Sequence, residues 1–406
     1  MKIGIVGAGQ FAPSFTGLWQ LHPDVDEVWA TDIIPERAEQ LAQRFGLAGT
    51  HATFEDMLTS DVDAVALLTQ RWTHAPMAIQ ALKAGKHVYS AVPMATKPDE
   101  IAGIIEAVQA SGKVYMLGET HWYYPQVIWA RKAQAEGKFG QLFYGEGDYV
   151  HDMDHGFYAA YQYSGGENWK ETASYPPLLY PTHSTGGVLG AWPDAVPVSV
   201  SALGVKDTRG DGVFDADVSM FGNDMSNMSA LIELSDGGMV RINEFRRVGM
   251  AGQIDESTHR WYGTDGMFDN GGRRNLFYSR TETVDVTEDL RIGKANLSAE
   301  ELEGIDPALV ESFASGVSRV HDRNRLPIEF DGAHNGHNGA HHYLADDFVR
   351  AVKSGLQPPL NAWNAARINI AGIVAWDSAR RGGERLPVPQ FGACPLPIVD
   401  VDTPAR

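Results

Sequence analysis

Apolar residues in the first part of the chain form short continuous runs, separated by longer stretches in which they recur at helical spacing. The runs Lys2–Val6, Glu27–Thr31 and Val62–Thr69 each predict a strand covered on both faces. Further strands are predicted over residues 87–90 and 113–118, with helices over 74–84 and 98–111. This alternation predicts an α/β fold, a doubly wound parallel sheet that is complete near residue 122.

After this point the pattern changes to strand following strand. A helix is predicted over 126–137, then strands over 141–150, 197–204, 228–234 and 239–247, the last two joined by the turn Ser235–Gly238. Helices are predicted over 344–353 and 362–381. We therefore expect three segments: residues 1–122, an α+β domain with a large, mostly antiparallel open sheet over 123–386, and a Pro-rich extended arm over 387–406.

Composition narrows the functional classes. The 406 residues favour two domains, and the single cysteine, Cys394, fits a reducing compartment, so we expect a cytoplasmic location. A formal net charge of −19 argues against nucleic-acid binding and favours a small-molecule substrate. Met1 leads directly into the first strand without a leader, and no apolar run has membrane-spanning length, so no membrane partner is expected.

A phosphate-binding motif follows the first strand. Gly7, Gly9, Gln10, Phe11 and Ala12 lie in the segment GAGQFA, a G-x-G-x-x-A pattern between a strand and a helix. Such a turn lets backbone amides approach a pyrophosphate at a helix N-terminus. The chain is therefore predicted to bind a dinucleotide through these residues.

The residue at the end of the second strand indicates which dinucleotide the chain binds. Asp32 lies at the distance from the glycines expected for a carboxylate that binds the ribose hydroxyls, which favours NAD over NADP. Arg37 is close enough to accept a 2′-phosphate instead, or it is an ordinary solvent-facing helix residue. We predict NAD, with Arg37 near the cofactor.

The segment AGKHVYSAVPM, Ala84–Met94, preceded by Thr69 and His74, resembles the Gfo/Idh/MocA family of nicotinamide-dependent sugar oxidoreductases. In ordinary members the corresponding stretch ends Glu-Lys-Pro, and its lysine assists proton transfer from the substrate. This chain has Val92 before Pro93 instead. The resemblance implies that Thr69, His74, Val92 and Pro93 lie at the cofactor.

Two departures from ordinary members favour a particular branch of the family. Val92 replaces the lysine, and Leu179 replaces an aspartate four residues before the catalytic histidine. The pattern is similar to the NAD-dependent glycoside hydrolases, the family 109 glycosidases and the NAD-dependent sulfoquinovosidases. Five residues match this branch, and the resemblance implies that they are catalytic: Glu119, Tyr149, His151, Tyr180 and His183.

The resemblance implies a mechanism in which tightly bound NAD is recycled. Hydride removal from C3 of a sugar glycoside acidifies C2, the C1 substituent is eliminated, water adds, and the hydride returns. His183 is expected to accept the C3 hydroxyl proton and Tyr149 the C2 proton, with His151 depressing the pKa of Tyr149. Tyr180 and Glu119 are expected to orient the sugar or the nicotinamide.

Two alternatives stay open from the sequence. The chain could be a net NAD-dependent dehydrogenase of a sugar or polyol, using His183 without the lysine. It could also be a nicotinamide-binding sensor without turnover. In every case the resemblance implies a homo-oligomer, a dimer or tetramer, formed through the free face of the second sheet.

Candidate substrate contacts come from three further places. Arg246 and Arg247 end a predicted strand and could bind an anionic sugar substituent, or form salt bridges within this acidic chain. Trp169 lies in an aromatic-rich stretch, 152–175, without regular periodicity, which could cover the sugar or pack on its own domain.

A histidine-rich stretch, 334–342, supplies His337 and His341. Its spacing matches no standard zinc motif and no carboxylate is placed as an obvious ligand, so no metal is predicted. We expect these two histidines to contact the substrate, with a structural role as the alternative.

Overall fold

The structure is a computed structural model that describes residues 1–249, 257–272, 274–292 and 317–401. Contacts divide it into two compact units. Unit 1 contains Met1–Thr120, Asp322–Ala366 and the described part of Phe391–Arg406, and unit 2 contains the described part of His121–His321 together with Arg367–Gln390. This division differs from the three contiguous segments expected from the sequence, because two C-terminal stretches pack with the first domain.

The strands, in chain order, are β1 Lys2–Val6, β2 Glu27–Thr31, β3 Gly49–Thr50, β4 Ala64–Leu67, β5 His87–Ser90, β6 Tyr115–Leu117, β7 Leu142–Val150, β8 Pro197–Lys206, β9 Met225–Leu234, β10 Met239–Phe245, β11 Ser257–Gly263, β12 Gly266–Asp269, β13 Leu276–Ser279, β14 Thr283–Asp285 and β15 Leu386–Pro387. The α-helices are α1 Pro13–Leu21, α2 Pro35–Phe45, α3 Phe54–Thr59, α4 His74–Lys83, α5 Pro98–Ser111, α6 Pro125–Ala135, α7 Tyr158–Gly165, α8 Trp169–Ala173, α9 Thr182–Gly190, α10 Thr287–Leu290, α11 Gly336–Ser354 and α12 Ala362–Arg380.

Unit 1 contains a six-stranded sheet in the order β3-β2-β1-β4-β5-β6, parallel throughout. The order reverses at β1, where the chain crosses from one half of the sheet to the other. Every residue of β4 is buried, as expected for a strand covered by helices on both faces. The predicted doubly wound parallel fold is confirmed, and most predicted bounds agree to within two residues.

The C-terminal part of unit 1 adds helix α11 to this sheet. Trp19 of α1 and Tyr89 of β5 both contact the ring of Phe348, on α11, and all three are buried. Gln357, after α11, forms an isolated parallel bridge with Ile398. These contacts bring the segments around residues 340 and 398 into the first unit, which local sequence patterns do not reveal.

Unit 2 contains a nine-stranded sheet in the order β14-β13-β12-β11-β7-β10-β9-β8-β15. All neighbours are antiparallel except β7 and β10, which run parallel. This confirms the mostly antiparallel second sheet. The sequence prediction omitted strands β11 to β14, of which β12, β13 and β14 have only three or four residues each.

One face of this sheet, the inward face, is covered by helix α9, all of whose residues are buried. The other, the outward face, carries half-exposed polar and aromatic side chains. The expectation of irregular structure over 152–175 is wrong for much of this stretch, since it contains the helices α7 and α8. No helix among the described residues is long and apolar enough to cross a membrane.

Candidate active site

The turn after β1 has the backbone that a dinucleotide site requires. Gly7 has a φ of +92°, and a Cβ placed there would lie 2.7 Å from the carbonyl oxygen of Leu68, so only glycine fits. A Cβ at Gly9 would meet no atom within 4 Å, so that side of the turn faces open space. The turn therefore combines a tight backbone with an open approach, as pyrophosphate binding demands. Gln10 is exposed there, Phe11 is half-buried and Ala12 is buried.

The carboxylate of Asp32 is held beside this turn. Its Oδ2 accepts a hydrogen bond from the amide of Ala8 at 2.7 Å, and its Oδ1 accepts one from the amide of Ile34 at 2.8 Å. Arg37 lies half-buried in α2, one turn further along. The residues present thus fit the adenosine end of a dinucleotide in the way predicted from the motif.

His74 connects the loops after β4 and β5. Its Nδ1 lies 2.9 Å from the carbonyl oxygen of Pro93, and its Nε2 lies 3.1 Å from that of Thr69. Burial lowers the pKa of His74, and the two carbonyl contacts oppose that effect. Val92 is buried in the same loop, so an apolar side chain occupies the position where ordinary family members have the lysine.

The two histidines of the C-terminal stretch lie in unit 1 beside the dinucleotide turn. His337 Nδ1 is 2.8 Å from His341 Nε2, and both rings contact the ring of Phe11. His341 is fully buried against Phe15, and burial holds its pKa well below the usual range. Glu119, immediately beyond β6 in the same unit, is also fully buried.

Four of the predicted catalytic side chains meet on the inward face of unit 2. The rings of Tyr149 and His183 are 4.6 Å apart and nearly perpendicular, and Tyr149 stacks on His151 at 5.2 Å. Tyr180 lies 5.2 Å from His183 and 6.2 Å from Tyr149. Two residues separated by 34 positions in sequence, Tyr149 and His183, are therefore within reach of one small substrate.

Close packing between β7 and α9 brings these residues together. Because side chains alternate between the two faces of a strand, Tyr149 lies on the inward face of β7 together with Gly145 and Gly147. A Cβ at Gly147 would lie 2.4 Å from the carbonyl oxygen of Ser184, so the absence of a side chain there lets α9 lie directly on the strand. His183, in the first turn of α9, is consequently held against Tyr149.

A histidine that the sequence prediction omitted supports His183. His121 stacks on the His183 ring at 4.4 Å, and its Nδ1 is 2.8 Å from the backbone oxygen of His183. Its Nε2 is 3.1 Å from the hydroxyl of Ser257. Its position two residues after Glu119 was the only sequence signal that pointed to it.

A buried carboxyl group, Glu244, was also omitted. Ser184 Oγ lies 2.5 Å from Glu244 Oε1, and Arg246 donates to Glu244 Oε2 at 2.9 Å. The Arg246 guanidinium lies over the Tyr149 ring, 5.3 Å from its centroid. Strand alternation places Glu244 on the inward face, and that was the available signal.

The remaining predicted substrate contacts have partners within their own unit. Arg247 is paired with Asp207 and Asp211 and donates to the hydroxyl of Tyr158. Trp169 packs against a buried cluster and meets Tyr158 edge to face at 5.8 Å. These contacts favour the structural alternative for both residues, whereas Arg246 lies against the Tyr149 ring.

The comparisons with known proteins bear first on the N-terminal unit. Residues 1–119 match the model of the Gfo/Idh/MocA oxidoreductase family, NAD-binding Rossmann fold. This segment is similar to the NAD-binding Rossmann domain of that family. NAD is therefore the cofactor of this domain, in agreement with Asp32 beside the glycine turn.

Relatives of this chain carry a glycosidase name. It is 28% identical over 201 residues to glycosyl hydrolase family 109 protein 2 of Shewanella sp. strain ANA-3, a match that covers 46% of this chain and only 43% of that relative. A family 109 protein of Saccharopolyspora erythraea is 23% identical over 437 residues, covering 100% of this chain and 86% of the relative.

Solved structures similar in fold carry dehydrogenase names. A levoglucosan dehydrogenase in complex with NADH and levoglucosan is 16% identical, with a TM-score of 0.71 over 96% of this chain and 100% of that one. Myo-inositol 2-dehydrogenase from Lactobacillus plantarum is 17% identical, with a TM-score of 0.66 over 96% and 99% of the two chains. At these identities the likeness establishes the fold.

Proposed function

We propose that the chain is an NAD-dependent glycoside hydrolase that cleaves a sugar glycoside through transient oxidation at C3. The observation that carries this proposal is the grouping of Tyr149 with His183, His151 and Tyr180 on one buried face. Oxidation of one hydroxyl needs one base, whereas elimination from the neighbouring carbon needs a second. The names of the family 109 relatives support the same assignment.

The cofactor would be held by the turn Gly7–Ala12, by Asp32 and by the loops joined through His74, with Arg37 and Pro93 nearby. NAD, when bound, accepts the hydride from C3 of the sugar and returns it at the end of the cycle. Because hydrolysis consumes no net hydride, we propose that NAD stays tightly bound and is recycled.

His183 is the proposed base for the first step. It takes the proton of the C3 hydroxyl as the hydride leaves, so that C3 becomes a ketone. Its ring is stacked on His121 and touches Tyr149 and Tyr180, so its orientation is fixed from several sides. The same residue returns the proton when C3 is reduced again.

Tyr149 is the proposed base for the second step. The C3 ketone acidifies the hydrogen on C2, the phenolate removes it, and the C1 substituent leaves with its bonding electrons to give the enone. Water then adds at C1, Tyr149 delivers to C2 a proton that its hydroxyl has exchanged with solvent, and the proton lost by the water neutralises the departed C1 substituent. A phenol needs a neighbour that stabilises its anion, and the guanidinium of Arg246 lies over its ring. His151, stacked on the same ring, is the second such neighbour.

Tyr180 and Glu119 are proposed to orient the sugar or the nicotinamide. His337 and His341, beside the dinucleotide turn, are proposed to contact the reactants from unit 1. We further propose that the protein is a homo-oligomer through the outward face of the second sheet, and that it works in the cytoplasm. We include an anionic sugar, such as a sulfoquinovoside, among the proposed substrates, because the Arg246 guanidinium lies beside the proposed base Tyr149.

The second candidate function is net dehydrogenation of a sugar or polyol. The observation that favours it is the fold likeness to proteins named as dehydrogenases, together with His183. It requires only the first of the two bases. The buried Val92 at the lysine position is against it, because an apolar side chain transfers no proton.

The test is incubation of the purified protein with neutral and anionic aryl glycosides in deuterated water. We expect release of the aglycone without stoichiometric NADH, and deuterium at C2 of the released sugar. Accumulation of NADH in proportion to the substrate consumed, without aglycone, would replace the proposal by the dehydrogenase. Denaturation of the purified protein should also release NAD, which distinguishes a recycled cofactor from a cosubstrate.

A further inference from the structure

Glu244 is a buried carboxyl group at the cluster that the proposed reaction steps leave without a role. It is fully buried on the inward face of β10, and it is the register partner of Tyr149 on the parallel strand β7. An ionised carboxyl group in such a place is costly unless it is paired and hydrogen-bonded. Its surroundings therefore decide its protonation state.

The hydrogen bonds around Glu244 accommodate both protonation states. Ser184 Oγ is 2.5 Å from Glu244 Oε1 and 3.0 Å from the carbonyl oxygen of Pro181, but a hydroxyl has one hydrogen. When Glu244 is ionised, Ser184 donates to it. When Glu244 is protonated, it donates to Ser184, whose hydrogen then turns to Pro181. In both protonation states, Glu244 Oε1 and Ser184 Oγ therefore form a hydrogen bond with each other.

The charges around Glu244 are few and come from identifiable elements. Burial raises the pKa of Glu244 to about 7, against the lowering effects of Arg246, Ser184 and His183. From β9 its register partner is Met228, and the turn Pro177–Leu179 that packs on β10 carries no titratable side chain. Among the described residues, Arg246 is thus the cation that faces Glu244, and His183 and Tyr149 are the other titratable groups beside it.

Arg246 connects this carboxyl group to the proposed base. Its Nη2 donates to Glu244 Oε2 while its guanidinium carbon lies 5.3 Å from the Tyr149 ring centroid. In a site this buried the interaction between charges is weakly screened. An ionised Glu244 neutralises the guanidinium, whereas a protonated Glu244 leaves its charge to favour the phenolate.

We propose that Glu244 is a positioning residue that, by exchanging a proton, sets how much of the Arg246 charge is left to stabilise the phenolate of Tyr149. The electrostatic coupling stands on the contacts described above, and only its use in catalysis rests on the proposed function. Protonation of Glu244 and ionisation of Tyr149 then favour one another, so the cluster keeps its net charge while Tyr149 becomes the base.

The test is fluorine NMR of the full chain labelled with 3-fluorotyrosine, in which the Tyr149 signal is assigned by its loss in Tyr149→Phe. We expect Glu244→Gln, which keeps the hydrogen bonds but removes the charge, to lower the titration midpoint of Tyr149 by about one pH unit. Arg246→Gln should raise the midpoint. A merely structural role for either residue predicts no such opposite shifts.

Glu146→Gln is the matched control, since Glu146 lies on the same strand as Tyr149 but on the outward face. It should leave the midpoint unchanged. In an Arg246→Gln background, the shift caused by Glu244→Gln should shrink. An unchanged or raised midpoint in Glu244→Gln, or an equal shift in Glu146→Gln, would overturn the proposal.

Wild-type protein labelled with carbon-13 at the glutamate carboxyl carbons provides a measurement that needs no folded variant. One glutamate should titrate near neutral pH, and absence of such a signal also overturns the proposal. Both NMR readouts are independent of turnover. A midpoint shift in a protein that cleaves no glycoside would therefore retain the coupling and reject only the proposed function.

Discussion

The two faces of the second sheet carry the same residue types in opposite electrostatic settings. On the outward face, Tyr144 and Tyr262 lie near Glu146, and burial together with that carboxylate raises the pKa of both phenols. On the inward face, Tyr149 lies under the guanidinium of Arg246. The comparison indicates that a tyrosine becomes a candidate base when a cation rather than a carboxylate lies beside it. Strand alternation places the carboxylate of Glu146 on one face and the guanidinium of Arg246 on the other.

The carboxyl groups differ in the same way. Outward-facing Glu146 has two arginine neighbours, with Arg260 at 3.0 Å and Arg241 at 3.2 Å, and its side chain is 16% exposed. Inward-facing Glu244 has one arginine and no exposure. Pairs at the solvent edge are screened and contribute little, whereas a buried carboxyl group responds strongly to each partner. The inward face is therefore where changes of charge should have the largest effects.

The largest expected effect is on turnover. Tyr149→Phe removes only the phenol oxygen, and we expect a loss of glycoside cleavage of about 100- to 10,000-fold, the usual contribution of a general base. Tyr144→Phe makes the same change on the outward face and should alter the rate less than about twofold. Aglycone release is the measurement. Equal losses in the two variants would contradict the difference between the faces.

A smaller effect is expected on the pH dependence of stability. Because burial raises the pKa of Glu244 from its ordinary value of 4.5 to about 7, the native state holds an extra proton between these values, and its free energy of unfolding falls as the pH rises through this window. The slope is at most about 1.4 kcal/mol per pH unit. Glu244→Gln should flatten it in urea unfolding.

Glu146→Gln is again the control and should keep the wild-type slope. All other titratable groups are shared by the wild type and Glu244→Gln, so the difference between their unfolding curves isolates Glu244. An unchanged slope in Glu244→Gln would show that this carboxyl group is already ionised throughout the window.

The smallest effect is expected from the outward face. Arg260 pairs with Glu146 at 3.0 Å and with Asp269 at 2.7 Å, and its side chain is 22% exposed. In protein diluted until it is monomeric, so that the proposed subunit contact is absent, Arg260→Gln should lower the free energy of unfolding by about 0.5–1 kcal/mol, and less in high salt, because these pairs are screened. A loss of several kcal/mol that is insensitive to salt in the monomer would contradict this screening.

Much of the fold could be predicted from the sequence because its signals are local. The apolar runs and the G-x-G-x-x-A turn predict strands, helices and cofactor without reference to distant residues. The strands β11 to β14 and the helices within 153–173 were not predicted, because their stability comes from pairing and from a shared cluster around Phe157 and Phe214. The return of α11 to unit 1 likewise depends on long-range packing.

The candidate site likewise has one part that local sequence predicts and another that depends on long-range packing. By itself, the sequence determined the glycine turn and the acidic residue beside it, because these depend on residue type and short spacing, whereas the catalytic rings were predicted from the resemblance to a family. Only the tertiary structure decided that Tyr149 touches His183, that His121 stacks behind it, and that Arg246 joins Glu244 to Tyr149. Packing of α9 on Gly147 creates these contacts, and the burial that accompanies it makes a carboxyl group and a phenol sensitive to each other's charge.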